Sequence, residues 1–351
     1  PARLAAFRAA AETAAAQGAG ALRLNDYCPP QPEGFDGEPD GADLMTDPAL
    51  IRQHFPYLAE STLGVIHARR AGWFSSTEFG GYLLEQARAA GLALIDDRVT
   101  GVATLGGRVS GVRLGSGREI GCGVFVNAVG PLAVDVGRLL GLELPLFCER
   151  HAKLGFHDHL GIIPRDAPML IWSDPQALGW SDDEREILGE DEATRPLLNL
   201  MPSGAHLRPE GGGGSDIVLM LWAYDAHPVH PTWPPEFDPS FGDVVLRGLT
   251  MMVPGLAAYH QQSRRPSLDG GYYVKTRENR LLAGPLAVEG AYIIGGLSGY
   301  GLMAACGAAE LLAGHITGTG LPDYAAAFSP ARYDDPGYQA RLAGWDDSGQ
   351  L

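Results

Sequence analysis

Four glycines, Gly295, Gly296, Gly299 and Gly301, stand between an apolar run, Ala291 to Ile294, and an Ala/Leu/Met stretch that opens near Leu302. A strand that ends in glycines and feeds a helix brings backbone N–H groups close to a ligand at the helix N-terminus, where partial negative charge is favoured. The same spacing also serves a close helix–strand crossing that needs small residues, and four glycines alone do not choose between the two. A G-x-S-x-G hydrolase elbow is excluded, because the position two after Ser298 is Tyr300.

Other residues with chemical potential sit in aromatic-rich segments. Trp222, Tyr224 and His227 close a strand-like run, and period-two alternation puts Trp222 and Tyr224 on one face. Tyr272 and Tyr273 follow Arg264 and Arg265 closely. For any one of these, packing is the simpler role. Three histidines, His151, His157 and His159, share strand parity, and His227 and His230 lie in a proline-rich loop. Zinc wants three or four ligands at fixed spacing; no such set exists, so solvated or packing histidines and no metal are expected. Cys148 and Cys306 are conceivable covalent attachment points, but Cys306 falls inside the helix after the glycines, where core packing is expected.

The elements that must position these residues follow from pattern. Residues 1–24 read as an Ala-rich helix and residues 28–41 as a polar Pro/Gly loop. A short helix follows Asp47-Pro48, and residues 63–70 read as a strand. A helix over residues 77–90 stops at Gly91. Strands are expected over LALIDD (92–97), GVATLGG and RVSGVRLGSGREI, with a tight hairpin at Gly106-Gly107 and a turn at Gly115-Ser116-Gly117. The apolar run from Val124 to Gly130 predicts a buried strand of a parallel sheet, entering a helix. From about Phe147 to Pro266, short strands alternate with long loops, the texture of an antiparallel insert. Ser181 is a good N-cap for the acid-rich, exposed helix that follows. Gly270-Gly271-Tyr272-Tyr273 reads as a turn.

Composition bounds the rest. At 351 residues and 45% hydrophobic, the chain can bury a sizeable core; a net charge of −16 argues against nucleic-acid or anionic-membrane partners. No apolar run is long enough to span a membrane. Four scattered cysteines without a CxxC pair fit reduced thiols and a cytoplasmic location.

Taken in order, strand–NAVGP–helix, antiparallel insert, GGYY…REN…GP and strand–GGLSGYG–helix resemble the FAD-dependent amine and amino-acid oxidoreductases. That family includes glycine and sarcosine oxidases, dimethylglycine dehydrogenase and D-amino-acid oxidase. The resemblance runs from about Asp47 to the C-terminus. It implies an α/β fold with an inserted α+β domain, that is, a Rossmann-like FAD/NAD(P)-binding domain plus an antiparallel-sheet substrate domain. Residues 1–44 would be a remnant of the FAD-binding domain, 45–72 and 147–266 the substrate domain, and 73–146 and 267–351 the FAD-binding domain. By motif match, Gly296, Ser298, Gly299, Gly301, Leu302 and Met303 would lie near the flavin. Ala128 and Gly130 would lie against the diphosphate or ribityl chain, and Val99 where family members pass backbone near adenine. Gly72-Trp73 matches the family's Gly-Trp.

An Arg or Lys with one or two Tyr or His residues commonly holds the substrate carboxylate in the family, which makes Arg265, Tyr273 and Tyr224 the catalytic candidates. The implied activity is oxidation of a C–N bond in a small amine or N-methyl amino acid, with oxygen or an electron-transfer protein as final acceptor. One part of the pattern is missing: members begin with a strand–GxGxxG–helix unit, and Gly18-Ala-Gly20-Ala-Leu-Arg23 fails that motif. A chain that opens on Pro1 without Met is then expected to be a truncated gene model or an incomplete sequence. The alternative is a non-catalytic scaffold or subunit that kept the fold and lost FAD.

Overall fold

Short-range signals decide where four of the α-helices begin. The computed structural model describes residues 2–30, 37–260 and 266–345. Its elements alternate between two compact units: Pro1–Phe74, Ala152–Tyr224 and Phe237–Asp269 form one, and Ser75–His151, Asp225–Glu236 and Gly270–Leu351 form the other.

The first unit opens on α1 (Ala2–Ala14). A π-type turn at Ala15–Ala19, with Gly18 at φ 97°, ends the helix well short of residue 24. The reason lies downstream, where β1 (Leu22–Leu24) is drawn into a parallel pair with β2 (Ala42–Met45). Next, α2 (Pro48–His54) is started by Asp47, whose side chain accepts from Ala49 N–H, and by proline at the first helical position. β3 (Val65–Ala68) then pairs antiparallel with β2. Arg69, buried, links Glu38 (2.5 Å) and Asp43 (3.1 Å) beside this small sheet.

The second unit begins with α3 (Ser76–Ala89), whose cap Ser75 accepts from Glu78 N–H. No residue of α3 is buried. The expected strand at 92–97 is irregular chain instead. Asp97 turns back on itself, accepting from Arg98 N–H and the Ser116 hydroxyl, and the run joins no sheet among the described residues. The hairpin of β4 (Val99–Leu105) and β5 (Arg108–Leu114) turns on Gly106 and Gly107, both left-handed, and β6 (Glu119–Gly121) completes a meander. β7 (Phe125–Asn127) and α4 (Ala133–Arg138) follow.

β8 (Phe147–His157) starts in the second unit and passes into the first at Ala152. There it joins β9 (Leu170–Ile171), β10 (His206–Pro209) and β11 (Ile217–Leu221) in the order β8–β11–β10–β9, all antiparallel. α5 (Asp182–Glu190) has the full capping box between Ser181 and Glu184. Back in the second unit, β12 (Pro228–Val229) pairs with Glu149 and Cys148 of β8. α6 (Phe241–Met252) closes the core of the first unit: Leu154, Leu207, Val218 and Met220 from the strands and Val244, Val245 and Leu249 from the helix are no more than 1% exposed.

β13 (Ser267–Lys275) enters the second unit at Gly270 and pairs with β8. Gly270-Gly271-Tyr272-Tyr273 is therefore strand and not turn, held extended by that pairing despite two glycines. β15 (Ala291–Gly295) lies between β14 (Leu282–Pro285), antiparallel, and β7, parallel. Parallel pairing of the Val124–Gly130 run is as expected; burial is not. Val124 and Val129 are 45% and 44% exposed, because among the described residues β7 is an edge strand. α7 (Gly301–Thr317) packs Ala308 and Leu311 against Leu281 and Ala283, and α8 (Pro336–Ala343) ends the described chain. Among the described residues no helix is long and apolar enough to cross a membrane.

Candidate active site

The parallel pair β7–β15 puts Asn127 opposite Ile293, so both strands end on one side of their sheet. The two glycine-bearing segments, Ala128–Gly130 and Gly295–Gly301, therefore leave the same carboxyl edge, where open α/β sheets bind their ligands. Backbone conformation there is unusual. Gly130 and Gly296 have φ of 59° and 67°, and Ser298, which carries a side chain, sits at 51°. A non-glycine held left-handed stores strain that regular secondary structure does not require. A short 3-10 turn, Ser298–Tyr300, leads into α7, whose N-terminus is capped by no side chain. Its first N–H groups, on a seventeen-residue helix, present about half a positive charge. Leu302 and Met303 stand exposed beside it.

Gly299 has a specific steric reason. A Cβ there would lie 2.8 Å from Cε2 of Tyr273, so the tyrosine ring occupies the space a side chain would need. On its other face Tyr273 stacks against His151, with ring centroids 3.8 Å apart and planes 18° from parallel. His151 Nε2 lies 3.2 Å from Glu149 Oε2, and Lys275 Nζ reaches both oxygens of Glu149 at 3.3 and 3.2 Å. Alternation along each strand explains the grouping: residues 149 and 151 share one face of β8, and 273 and 275 one face of β13. Burial pushes the Tyr273 hydroxyl above the usual tyrosine range.

Asn127 is fully buried where β7 ends. Its Nδ2 donates to Ala133 O at 2.8 Å, which fixes the entry to α4, while its Oδ1 has no partner among the described residues. Glycines that admit close backbone approach, an uncapped helix N-terminus and a spare buried acceptor fit the ribityl and pyrimidine end of a flavin.

The family described as DAO, FAD dependent oxidoreductase, matches residues 33–314. The chain belongs to this family. It is thus an FAD-dependent oxidoreductase with the two-part family fold. Solved structures agree in fold. L-proline dehydrogenase from P. horikoshii is 20% identical with a TM-score of 0.63, covering 84% of this chain and 69% of that one. Glycine oxidase from Geobacillus kaustophilus is 16% identical with a TM-score of 0.58, covering 93% and 80%. Glycine oxidase from Bacillus cereus ATCC 14579 is 14% identical at 0.58, covering 84% and 68%. No curated protein matches the sequence.

Of the residues singled out from sequence in this DAO-family enzyme, the fold gathers Ala128, Gly130, Gly296, Ser298, Gly299, Gly301, Leu302, Met303 and Tyr273 within the second unit. Val99 opens the separate meander, opposite Leu114. Tyr224 belongs to the first unit, where it stacks on Phe241 and meets Trp222 edge-on. Arg265 lies outside the described residues. Cys306 is exposed, contrary to the expected core position, because the face of α7 that carries it turns away from β14 and β15. Cys148 is buried, its thiol is pushed up by burial and then by Asp135, and it lies 3.5 Å from Pro131 O, a setting that disfavours the reactive thiolate. Among the described residues no group of histidine, cysteine and carboxylate side chains can hold a metal; His157 pairs with Asp216 instead. Glu149 and Lys275 went unnoticed in the sequence. Each has an alternating-strand neighbour of interest, but their pairing spans most of the insert.

Proposed function

We propose that this enzyme oxidises the C–N bond of a small amine or N-methyl amino acid. The observation that carries the proposal is the placement of the Tyr273 ring against Gly299, in the loop that leads into the uncapped start of α7. Gly296, Ser298, Gly299, Gly301, Leu302 and Met303 would hold the ring end of the cofactor, with Ala128 and Gly130 on its ribityl or diphosphate portion and Val99 near adenine. Bound FAD supplies the two-electron acceptor for a hydride from the substrate carbon. The substrate nitrogen gives up a proton, and the resulting imine takes up water to release an amine or ammonia and a carbonyl compound. Tyr273 would orient the substrate, through its carboxylate where it has one. Fold similarity to a proline dehydrogenase and to glycine oxidases supports an amino-acid substrate. A cytoplasmic site of action fits the scattered cysteines.

The test is anaerobic titration of the purified protein with glycine, sarcosine and L-proline while its visible flavin bands are followed. Bleaching by any of them supports the proposal. Bound flavin that none of them reduces removes this substrate class, and a colourless folded protein favours a scaffold. In an active preparation, Tyr273→Phe should lower kcat/KM by roughly tenfold or more, as expected for losing one hydrogen bond to a charged group.

A further inference from the structure

The turn joining β13 to β14 is gripped from two sides. On one side, Glu278, 4% exposed, brings a single oxygen, Oε1, under four donors: Arg332 Nη2 (2.7 Å) and Nε (3.1 Å), Tyr333 OH (2.7 Å) and Tyr338 OH (2.8 Å). Arg332 also donates to the carbonyls of Leu281 (3.0 Å) and Arg280 (2.9 Å) in the same turn. These donors come from Pro330–Asp334 and α8, beyond residue 314, where the match to the family ends. On the other side, Tyr300 OH donates to Asn279 O at 2.6 Å. Tyr300 is the residue from which α7 starts, inside the glycine loop. Asn279 itself is left-handed, φ 54°, which gives the turn a fixed shape. A buried charged pair bonded on every donor is costly to disturb, so the turn is a rigid post between the C-terminal segment and the loop.

We propose that the C-terminal segment Pro330–Ala343 braces the cofactor loop: Glu278 and Arg332 are positioning residues that set the start of α7 through the Asn279–Tyr300 hydrogen bond. The consequence for flavin rests on the function proposed above; the brace itself does not.

Amide hydrogen exchange on the full cofactor-free chain tests it. Tyr300→Phe removes one hydroxyl and should speed exchange at Gly299–Met303 by roughly five- to tenfold, the factor that one hydrogen bond of ~1 kcal/mol supplies. Glu278→Gln should speed the same amides together with those of residues 331–343, and Arg332→Lys should fall between Glu278→Gln and wild type. Amides of the β4–β5 hairpin and α6 should not change. Unchanged exchange at Gly299–Met303 in Tyr300→Phe and Glu278→Gln would overturn the proposal, as would equal acceleration everywhere. In protein loaded with FAD the same variants should also alter the flavin absorption envelope. A loop that loosens without such a change keeps the brace and removes the flavin assignment.

Discussion

In the first unit, Leu207, Met220, Trp222 and Leu249 are each at most 2% exposed and belong to one cluster closed by α6; in the second, α3 buries nothing, and Leu94, Val124, Val129 and Met303 stand 44% to 74% exposed. Gly130, Gly296 and Ser298, all left-handed, lie in the second unit beside these exposed side chains. Burial of the first kind stabilises the fold, whereas exposed apolar side chains beside free backbone N–H groups suit an aromatic cofactor with a polar rim. The contrast thus separates residues that stabilise from residues kept available.

The largest effect expected is in the packed unit. Leu207→Ala should cost ~2–5 kcal/mol in denaturant unfolding, from lost burial plus a cavity, whereas Leu94→Ala should cost almost nothing. Equal losses would erase the contrast. Gly248→Ala comes next, because its Cβ would sit 2.4 Å from Cζ3 of Trp222. Overpacking there should cost ~1–3 kcal/mol. A melting curve unchanged by this substitution would mean the core is looser than drawn.

Acid should separate the units more gently. His67, His206 and His260, all in the first unit, have pKa values lowered from 6.5, chiefly by burial, with Arg69 adding to it at His67, Arg208 at His206 and Arg247 at His260. As pH falls through 6.5 the unfolded chain takes up protons that the folded one refuses. Stability from these groups is complete above 6.5 and declines toward their folded values. In the second unit, burial pushes the Glu278 carboxyl up, but hydrogen bonds from Tyr333, Arg332 and Tyr338 outweigh it, and the net shift is downward from 4.5. Its contribution is complete above 4.5 and is lost only below. Hydrogen exchange between pH 7 and 5 should therefore show α6 and β10 loosening before β14 and α7; the reverse order would contradict the assignment. The smallest effect expected is none at all: Leu94→Ser and Met303→Ser should change stability by less than ~0.5 kcal/mol. A loss above ~1 kcal/mol would show that something covers this face in solution.

Much of this was legible in the sequence because it depends on neighbours in the chain. Asp47-Pro48, Ser181 with Glu184, and Gly106-Gly107 act within a few residues, and each does what its local chemistry dictates. The Gly295–Gly301 loop was found for the same reason. What escaped notice depends on distant pairing. Lys275 finds Glu149 across the insert, and Arg332 finds Glu278 from beyond the glycine loop, so neither carboxylate announces itself. The run at 92–97 failed in the opposite sense: it has the apolar residues of a strand but no partner edge among the described residues, and propensity without a partner does not make a strand. Gly270-Gly271 misled for the complementary reason, since pairing with β8 overrides two residues that favour a turn.

The chain crosses between the two units five times, twice in the middle of a strand, β8 at His151 and β13 at Asp269. On the ribosome, this order postpones both cores. β8, β10 and β11 emerge with their apolar faces bare and wait for α6, and β7 waits for β15 until every strand between them has been made. Such long-delayed pairing favours slow closure and exposure of sticky strands, the condition in which nascent chains need chaperones. It also means that no single cut yields either unit intact, so recombination can pass this fold on only as a whole.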